Sequence, residues 1–328
     1  MGLPIGQWLG VLAAGAMLTA VSAVGAAQFP TKPITIVVPY TAGGTADMLA
    51  RMAGEALQQS LGQPVVIESR PGAGGSIGTT HVARSKPDGY TLIFTASGSM
   101  AINPYVYKLN YDTLKDLDQL TILVDLPFVL VTSVNKPDFN MTSLRQLVDY
   151  ARSRPGEVSF ANAGIGTQQH LTQMMFMKAT QTDLQIVPYK GSMPAVNDLL
   201  GGHLHAMLDN TGVQTPFIQS GKVRPLMVTS KQRVSVLPDV PTADEAGLPG
   251  FESVAWFGLA APAGTPADIL TRMHQILVQS FARPEVKEKL EGLGMVPVVS
   301  TPADTTSRVK DNLEAFGAVA RDINLQPN

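Results

Sequence analysis

Strand-like and helix-like segments alternate along this chain, and in two places a strand runs through a glycine-bearing turn directly into a helix. That order confines the chain to an α/β architecture built on mainly parallel sheets. Ile34-Thr-Ile-Val-Val38 is a buried-strand run, followed by a helix over 46–59 that Gly43-Gly44-Thr45 opens and whose first turn holds Asp47. Strand 65–67, helix 77–84 and strand 91–94 complete a βαβαβ unit. A second unit begins at Phe128-Val-Leu-Val-Thr132 and continues through helix 143–152, strand 158–160, helix 167–179, strand 185–187, helix 194–200 and strands 206–208 and 223–229.

The last part carries one more strand, 253–259, and helices over 266–281, 284–292 and 302–323 that have no companion strands. Packing them on the first unit is the economical solution. The chain then divides into a discontinuous first lobe, 28–125 plus 229–328, and a second lobe, 126–228, after a leader over 1–27. At 328 residues two lobes are the expected number. The connection crosses near 121–128 and again near 229–249, and two crossings make a hinge. Ligands of such sheets bind beyond the carboxyl ends of the strands, so two sheets facing across a hinge create a closable cleft.

Charge narrows the partners. With 24 Lys+Arg against 26 Asp+Glu the net charge is −2, which offers no basic surface for a phosphate backbone, and nucleic acid is excluded as a partner. The first 27 residues contain no charged side chain, and 9–24 is a run of apolar and small residues ending in Gly25-Ala-Ala27. This reads as an export leader cut near Ala27, although its start lacks the usual Lys or Arg; an uncleaved anchor is the alternative, for which the run is short. There is no cysteine, hence no disulfide, no thiolate chemistry and no lipidated Cys. A monomeric periplasmic protein is the expectation.

Three strand–turn–helix segments are equipped to hold a ligand. In the first, Tyr40-Thr41-Ala42-Gly43-Gly44 leads to Asp47, and the helix start favours an anion while Asp47 accepts from a ligand hydroxyl, ammonium or water, or simply stabilises the helix end. The second, in the other unit, is Asn162-Ala-Gly-Ile-Gly166-Thr167, with His170 one turn into the helix as a ligand contact or a structural residue. In the third, Tyr189-Lys190-Gly191, Lys190 pairs with an anion or stays solvated. Ser97-Gly98-Ser99 and Asp209-Asn210 stand at other strand ends facing the same cleft. Paired helix starts, one per lobe, suit a carboxylate. Four or five charge-assisted contacts at roughly 1.5–3 kcal/mol each reach the ~8 kcal/mol of micromolar binding without a metal or cofactor.

Enzyme motifs fail with one exception. No G-x-x-x-x-G-K-[ST] or H-E-x-x-H is present, and His203 and His205 have no third partner nearby for a metal. Gly74-Gly-Ser76-Ile-Gly78 fits the serine-hydrolase elbow, but that elbow needs its serine at the immediate end of a strand, and several residues intervene here. A hydrolase using Ser76 therefore stays a minor alternative, beside a ligand sensor for a signalling partner.

The chain also resembles a family. Lys32-Pro-Ile-Thr-Ile-Val-Val-Pro-Tyr-Thr-Ala-Gly-Gly-Thr-Ala-Asp47, Glu68-Ser-Arg-Pro-Gly-Ala-Gly-Gly75, Pro87-Asp-Gly-Tyr90, Gly164-Ile-Gly-Thr167 with His170, Pro188-Tyr-Lys-Gly191, Leu237-Pro-Asp-Val-Pro-Thr242 and Gly258-Leu-Ala-Ala-Pro-Ala-Gly-Thr-Pro266 are similar to the Bug-type substrate-binding proteins of tripartite tricarboxylate transporters. The resemblance covers essentially the whole mature chain. It implies a type II periplasmic-binding, Venus-flytrap fold without enzymatic activity, a di- or tricarboxylate, acidic amino acid or aromatic acid as ligand, and membrane transporter subunits as partners. By the same resemblance Gly43, Gly44, Asp47, Gly166, Thr167 and His170 form two pincers on a carboxylate, partly through waters. Tyr40-Thr41-Ala42 stands where Phe and Pro are more usual, which makes that wall more polar.

Overall fold

In the computed structural model, residues 2, 29–164, 167–189 and 191–322 are described. The leader apart from residue 2, Gly166 and Lys190 lie outside them. The first unit runs β1 (Ile34–Val38), α1 (Thr45–Leu61), β2 (Val65–Ser69), α2 (Ser76–Ala83), β3 (Thr91–Ala96), α3 (Asn103–Val106) and β4 (Leu117–Ser133). The second continues with α4 (Leu144–Ser153), β5 (Ser159–Asn162), α5 (Gln168–Thr180), β6 (Gln185–Pro188), α6 (Ser192–Leu200), β7 (Ala206–Asn210), α7 (Thr211–Gln219) and β8 (Val223–Val228). The chain ends with β9 (Val254–Pro262), α8 (Ala267–Phe281), α9 (Pro284–Gly292), β10 (Val296–Pro297) and α10 (Pro302–Asp322).

Parallel pairing holds β2, β1 and β3 together on one side and β7, β5 and β6 on the other. What joins them is β4, a 17-residue strand where the sequence predicts strand only from Phe128. Its first part pairs antiparallel with β9, from Leu117 opposite Pro262 to Pro127 opposite Val254. From Phe128 onward it pairs antiparallel with β7 and β8 instead. Pro127 stands at this change of partner, where a residue with no N–H to give the ladder is tolerated.

Each sheet is covered on both faces. Ile34, Ile36 and Phe94 point to one side, where α1 supplies Leu49 and Leu57 and α8 supplies Leu277 and Phe281. Val37, Ile93 and Trp256 point to the other, against Val309 of α10. In β4 the alternation is visible residue by residue: Phe128 and Leu130 join Phe160 and Phe176, while Val129 and Val131 join Val196 and Met207.

The segment after β8 packs on the second core. Val234, Leu237 and Val240 are buried with Val129 and Val131, and Ala243 and Phe251 with Phe128. Apolar burial therefore keeps the chain on the second core as far as Phe251, and its return to the first sheet falls at Ser253, just before β9. The two passages are tied together there: Phe128 donates its N–H to Thr229 Oγ1 (3.0 Å), and Thr229 Oγ1 donates to the carbonyl of Ser253 (2.5 Å). A further bridge lies at the loop after α9, where Thr211 Oγ1 donates to the carbonyl of Gly294 (2.6 Å).

Candidate functional site

Helix starts α1, α5 and α7 follow the carboxyl ends of β1, β5 and β7, and they converge on one cavity of about 320 Å³. Thr45, Thr167 and Asn210 stand at those three starts and all line it. Each start leaves backbone N–H groups without intrahelical partners, so together they favour an anion. At the floor, Ser97 donates its hydroxyl to the amide oxygen of Gln168, joining the end of β3 to the start of α5. Ser97 is 2 % exposed and Gln168 6 % exposed, so this bond is shielded from solvent.

Tyr40, Ser97, Gly98 and Thr167 of the expected residues line this cavity. Burial pushes the Tyr40 phenol up to about 12, against a hydrogen bond with Ser99 that lowers it, so Tyr40 is a neutral group at any ordinary pH. Thr167 caps α5: its Oγ1 accepts from His170 N (3.3 Å) and donates to the carbonyl of Gly164 (2.6 Å). Gly43 and Gly44 line an adjoining cavity of about 300 Å³ that shares Thr45 and reaches Gly212 and Gly294. Thr41 and Ala42 are exposed on the same loop.

Asp47 is turned to its own helix. Its carboxylate accepts from Arg51 Nε (2.9 Å) and Nη2 (3.1 Å) and from the N–H of Gly43 (3.2 Å), and the Arg51 hydrogen bond holds its pKa below the usual carboxylate range. His170 is half-buried on α5, and burial pulls its pKa down, favouring the neutral ring. Tyr189 donates to Asp198 Oδ2 (2.5 Å); burial, then this carboxylate, pushes its phenol up to about 12. Gly191, at a φ of +104°, donates its N–H to the carbonyl of Ala163 (3.0 Å), pinning the turn after β6 to the turn after β5.

Asp209 lies beneath the cavity and is fully buried. Its Oδ1 accepts from Ser192 Oγ (2.9 Å), Gln169 Nε2 (3.2 Å) and the N–H of Asn210 (2.8 Å). One carboxylate oxygen thus fixes the starts of α5, α6 and α7 relative to one another. Burial raises its pKa, opposed by these hydrogen bonds.

Asn210, expected at a strand end facing the cleft, lines the cavity, whereas sequence reasoning missed Gln168, Gln169 and Asn103, which bring amide groups to its wall, and the rings of Tyr107 and Phe257. Asn103 opens α3 and Tyr107 follows its end, and this single turn is too short to announce itself by periodicity. The helix after Asn210 was hidden by Gly212 and by Pro216 inside α7. The amide pair after Thr167 was a legible signal, because those positions open a helix that points at the cleft.

Other candidate chemistry is accounted for structurally. His205 Nδ1 accepts from the N–H of Ser159 (3.0 Å), its ring meets Phe139 edge-on, and no cluster of three metal-ligating side chains occurs among the described residues. Ser76 opens α2 seven positions after the end of β2, and its hydroxyl accepts from Asn103 Nδ2 (3.0 Å). Among the described residues no helix is long and apolar enough to cross a membrane.

A sequence model of the tripartite tricarboxylate transporter family receptor matches residues 49–325. The chain belongs to this family. It is 38% identical to BugT of Bordetella pertussis over 301 residues, covering 91% of both chains. Among solved structures, an adipate-bound protein of R. palustris is 35% identical with a TM-score of 0.79, over 92% of this receptor and 100% of that chain. MatC of Rhodopseudomonas palustris, with bound malate, is 32% identical with a TM-score of 0.74, over 89% and 100%. The receptor therefore has the two-lobed α/β fold of periplasmic binding proteins, and its family binds solutes rather than transforming them.

Proposed function

We propose that this receptor is exported through its leader, captures one small carboxylate in the cleft between its two sheets as a monomer in the periplasm, and delivers it to the membrane subunits of a tripartite transporter. The lobes on this reading are 29–126 with 252–322, and 127–251. The observation that carries it is the convergence of three helix starts, drawn from both sheets, on one cavity of about 320 Å³ whose floor is the Ser97–Gln168 bond.

A carboxylate there meets oriented N–H and amide donors instead of a fixed cation, since no Lys, Arg or His lines the cavity among the described residues. Hydrogen bonds to a charged acceptor contribute roughly 1.5–3 kcal/mol each, so four give micromolar affinity. Expected ligand contacts are Thr45, Ser97, Thr167 and Gln168, with Gly43, Gly44, Gly166 and Lys190 of the flanking turns. The malate- and adipate-bound relatives support the ligand class.

Intrinsic fluorescence tests it. Trp256 is fully buried between β4 and α10, lines the cavity and donates from Nε1 to Asn312 Oδ1 (2.8 Å), so closure alters its surroundings. A saturable change with at least one carboxylate, matched by heat in calorimetry, is expected. No response to any mono-, di- or tricarboxylate in either measurement would sink the proposal.

A further inference from the structure

The cavity wall is aromatic to an unusual degree for this chain. Of its 20 aromatic residues, five line this one cavity: Tyr40, Tyr107, Phe128, Trp256 and Phe257. They come from both sides of the cleft, Phe128 from the second half of β4 and the others from the first sheet and its connections. Tyr40, Tyr107 and Phe257 are half-buried, which leaves ring surface for a guest, whereas Phe128 and Trp256 are sunk in the cores and stiffen the wall behind them. Phe257 is held in place by Phe94 (ring centroids 5.5 Å apart) and by Tyr40 edge-on at 6.5 Å.

The polar half of the lining is neutral. Among the described residues it consists of hydroxyls, amides and helix starts, and several are already committed: Gln169 to Asp209, and Asn103 to the carbonyl of Gly74 and to Ser76. Helix starts neutralise one carboxylate well. A second carboxylate projecting toward the rings would be stripped of water beside described lining residues that carry no positive charge, which disfavours it.

Resting on the carboxylate-capture reading above, we infer that the ligand of this receptor is a monocarboxylic acid with an aromatic body, its carboxylate on the helix starts and its ring against Tyr107 and Phe257. Ring-on-ring contact favours an aromatic guest over a saturated one of the same size.

The test is calorimetry on the purified protein with benzoate, phenylacetate, cyclohexanecarboxylate, adipate, malate and citrate. Benzoate or phenylacetate is expected to bind at least tenfold more tightly than any of the three polyacids, and more tightly than cyclohexanecarboxylate. Phe257→Leu and, separately, Tyr107→Leu are expected to weaken the aromatic acid about fivefold. Both variants should melt near the parent temperature without ligand, which separates lost recognition from lost fold. Tighter binding of adipate, malate or citrate than of both aromatic acids would overturn the inference and leave carboxylate capture standing. Unchanged aromatic-acid affinity in two folded variants would overturn it as well. Binding of no acid at all would remove both readings together.

Discussion

Ser97, just after the third strand, donates its hydroxyl to the side-chain oxygen of Gln168, at the start of the fifth helix, 71 positions further along the chain. Ser97 follows a strand of the first sheet and Gln168 opens a helix after a strand of the second, so this bond couples the halves of the receptor at the floor of the cleft. It also orients the Gln168 amide, because occupying its oxygen leaves the NH2 group to face elsewhere. Gln168→Ala should therefore act twice, leaving the buried Ser97 hydroxyl unpaired and removing a donor to the ligand. An unsatisfied buried group costs about 1–3 kcal/mol. Ligand affinity is expected to fall roughly 5- to 100-fold by calorimetry, and Gln168→Glu, which adds a negative charge where an anion should sit, to lose more.

Asp47 is the residue whose geometry most redirects expectation. Its carboxylate is held by Arg51 and by the Gly43 N–H, and only the latter belongs to the ligand-facing turn. Asp47→Asn is expected to lower thermal stability by about 0.5–1 kcal/mol, the scale of a helix-end charge, with less than threefold change in ligand affinity. The depressed pKa of Asp47 fixes the sign: its contribution is present above the ordinary carboxylate pKa near 3.8 and is lost as pH falls through the lower folded value. A large change in affinity with unchanged melting would reverse the assignment and make Asp47 a ligand contact.

How much of this was legible before the fold was known depends on the range of the signal. Ile34–Val38 and the alternating residues from Phe128 on announce strands because burial on two faces demands unbroken apolar runs. Gly43 and Gly191, both with positive φ, marked true turns after β1 and β6. What stayed hidden was set by distant partners. Leu117–Leu126 is strand because β9, more than a hundred residues later, pairs with it; 234–251 packs on the second sheet through Leu237 and Phe251, which nothing local foretells. The side-chain amide of Gln169 gains meaning only through Asp209, which fixes it.

Gly212 and Gly98 form a contrasting pair. A Cβ on Gly212 would lie 2.3 Å from the carbonyl oxygen of Leu293, in the loop that Thr211 also holds through Gly294. A Cβ on Gly98, which lines the ligand cavity, meets nothing within 4 Å. Gly212→Ala must push the loop off the seventh helix, and overpacking of this kind costs about 1–3 kcal/mol. Gly98→Ala should melt like the parent and change only ligand affinity. Equal melting of the two variants would show that the Leu293 loop yields freely.

His205 contributes to the loss of stability in acid. Its Nδ1 accepts the Ser159 N–H (3.0 Å), a role open only to the neutral ring, and burial, then Lys136, pulls its pKa down from 6.5 to about 4. Between those values the unfolded chain holds a proton that the folded chain refuses, so stability rises with pH across this window and is lost as pH falls from 6.5 toward 4. Each pKa unit corresponds to about 1.4 kcal/mol, and partial exposure of the ring reduces the total to roughly 1–2 kcal/mol. Chemical denaturation at pH 7 and at pH 4.5 should reveal the difference in the parent. His205→Phe keeps a ring beside Phe139 but leaves the Ser159 N–H without that acceptor; it should be less stable at pH 7 and show a shallower pH slope. A variant that keeps the full slope would place the titrating group elsewhere.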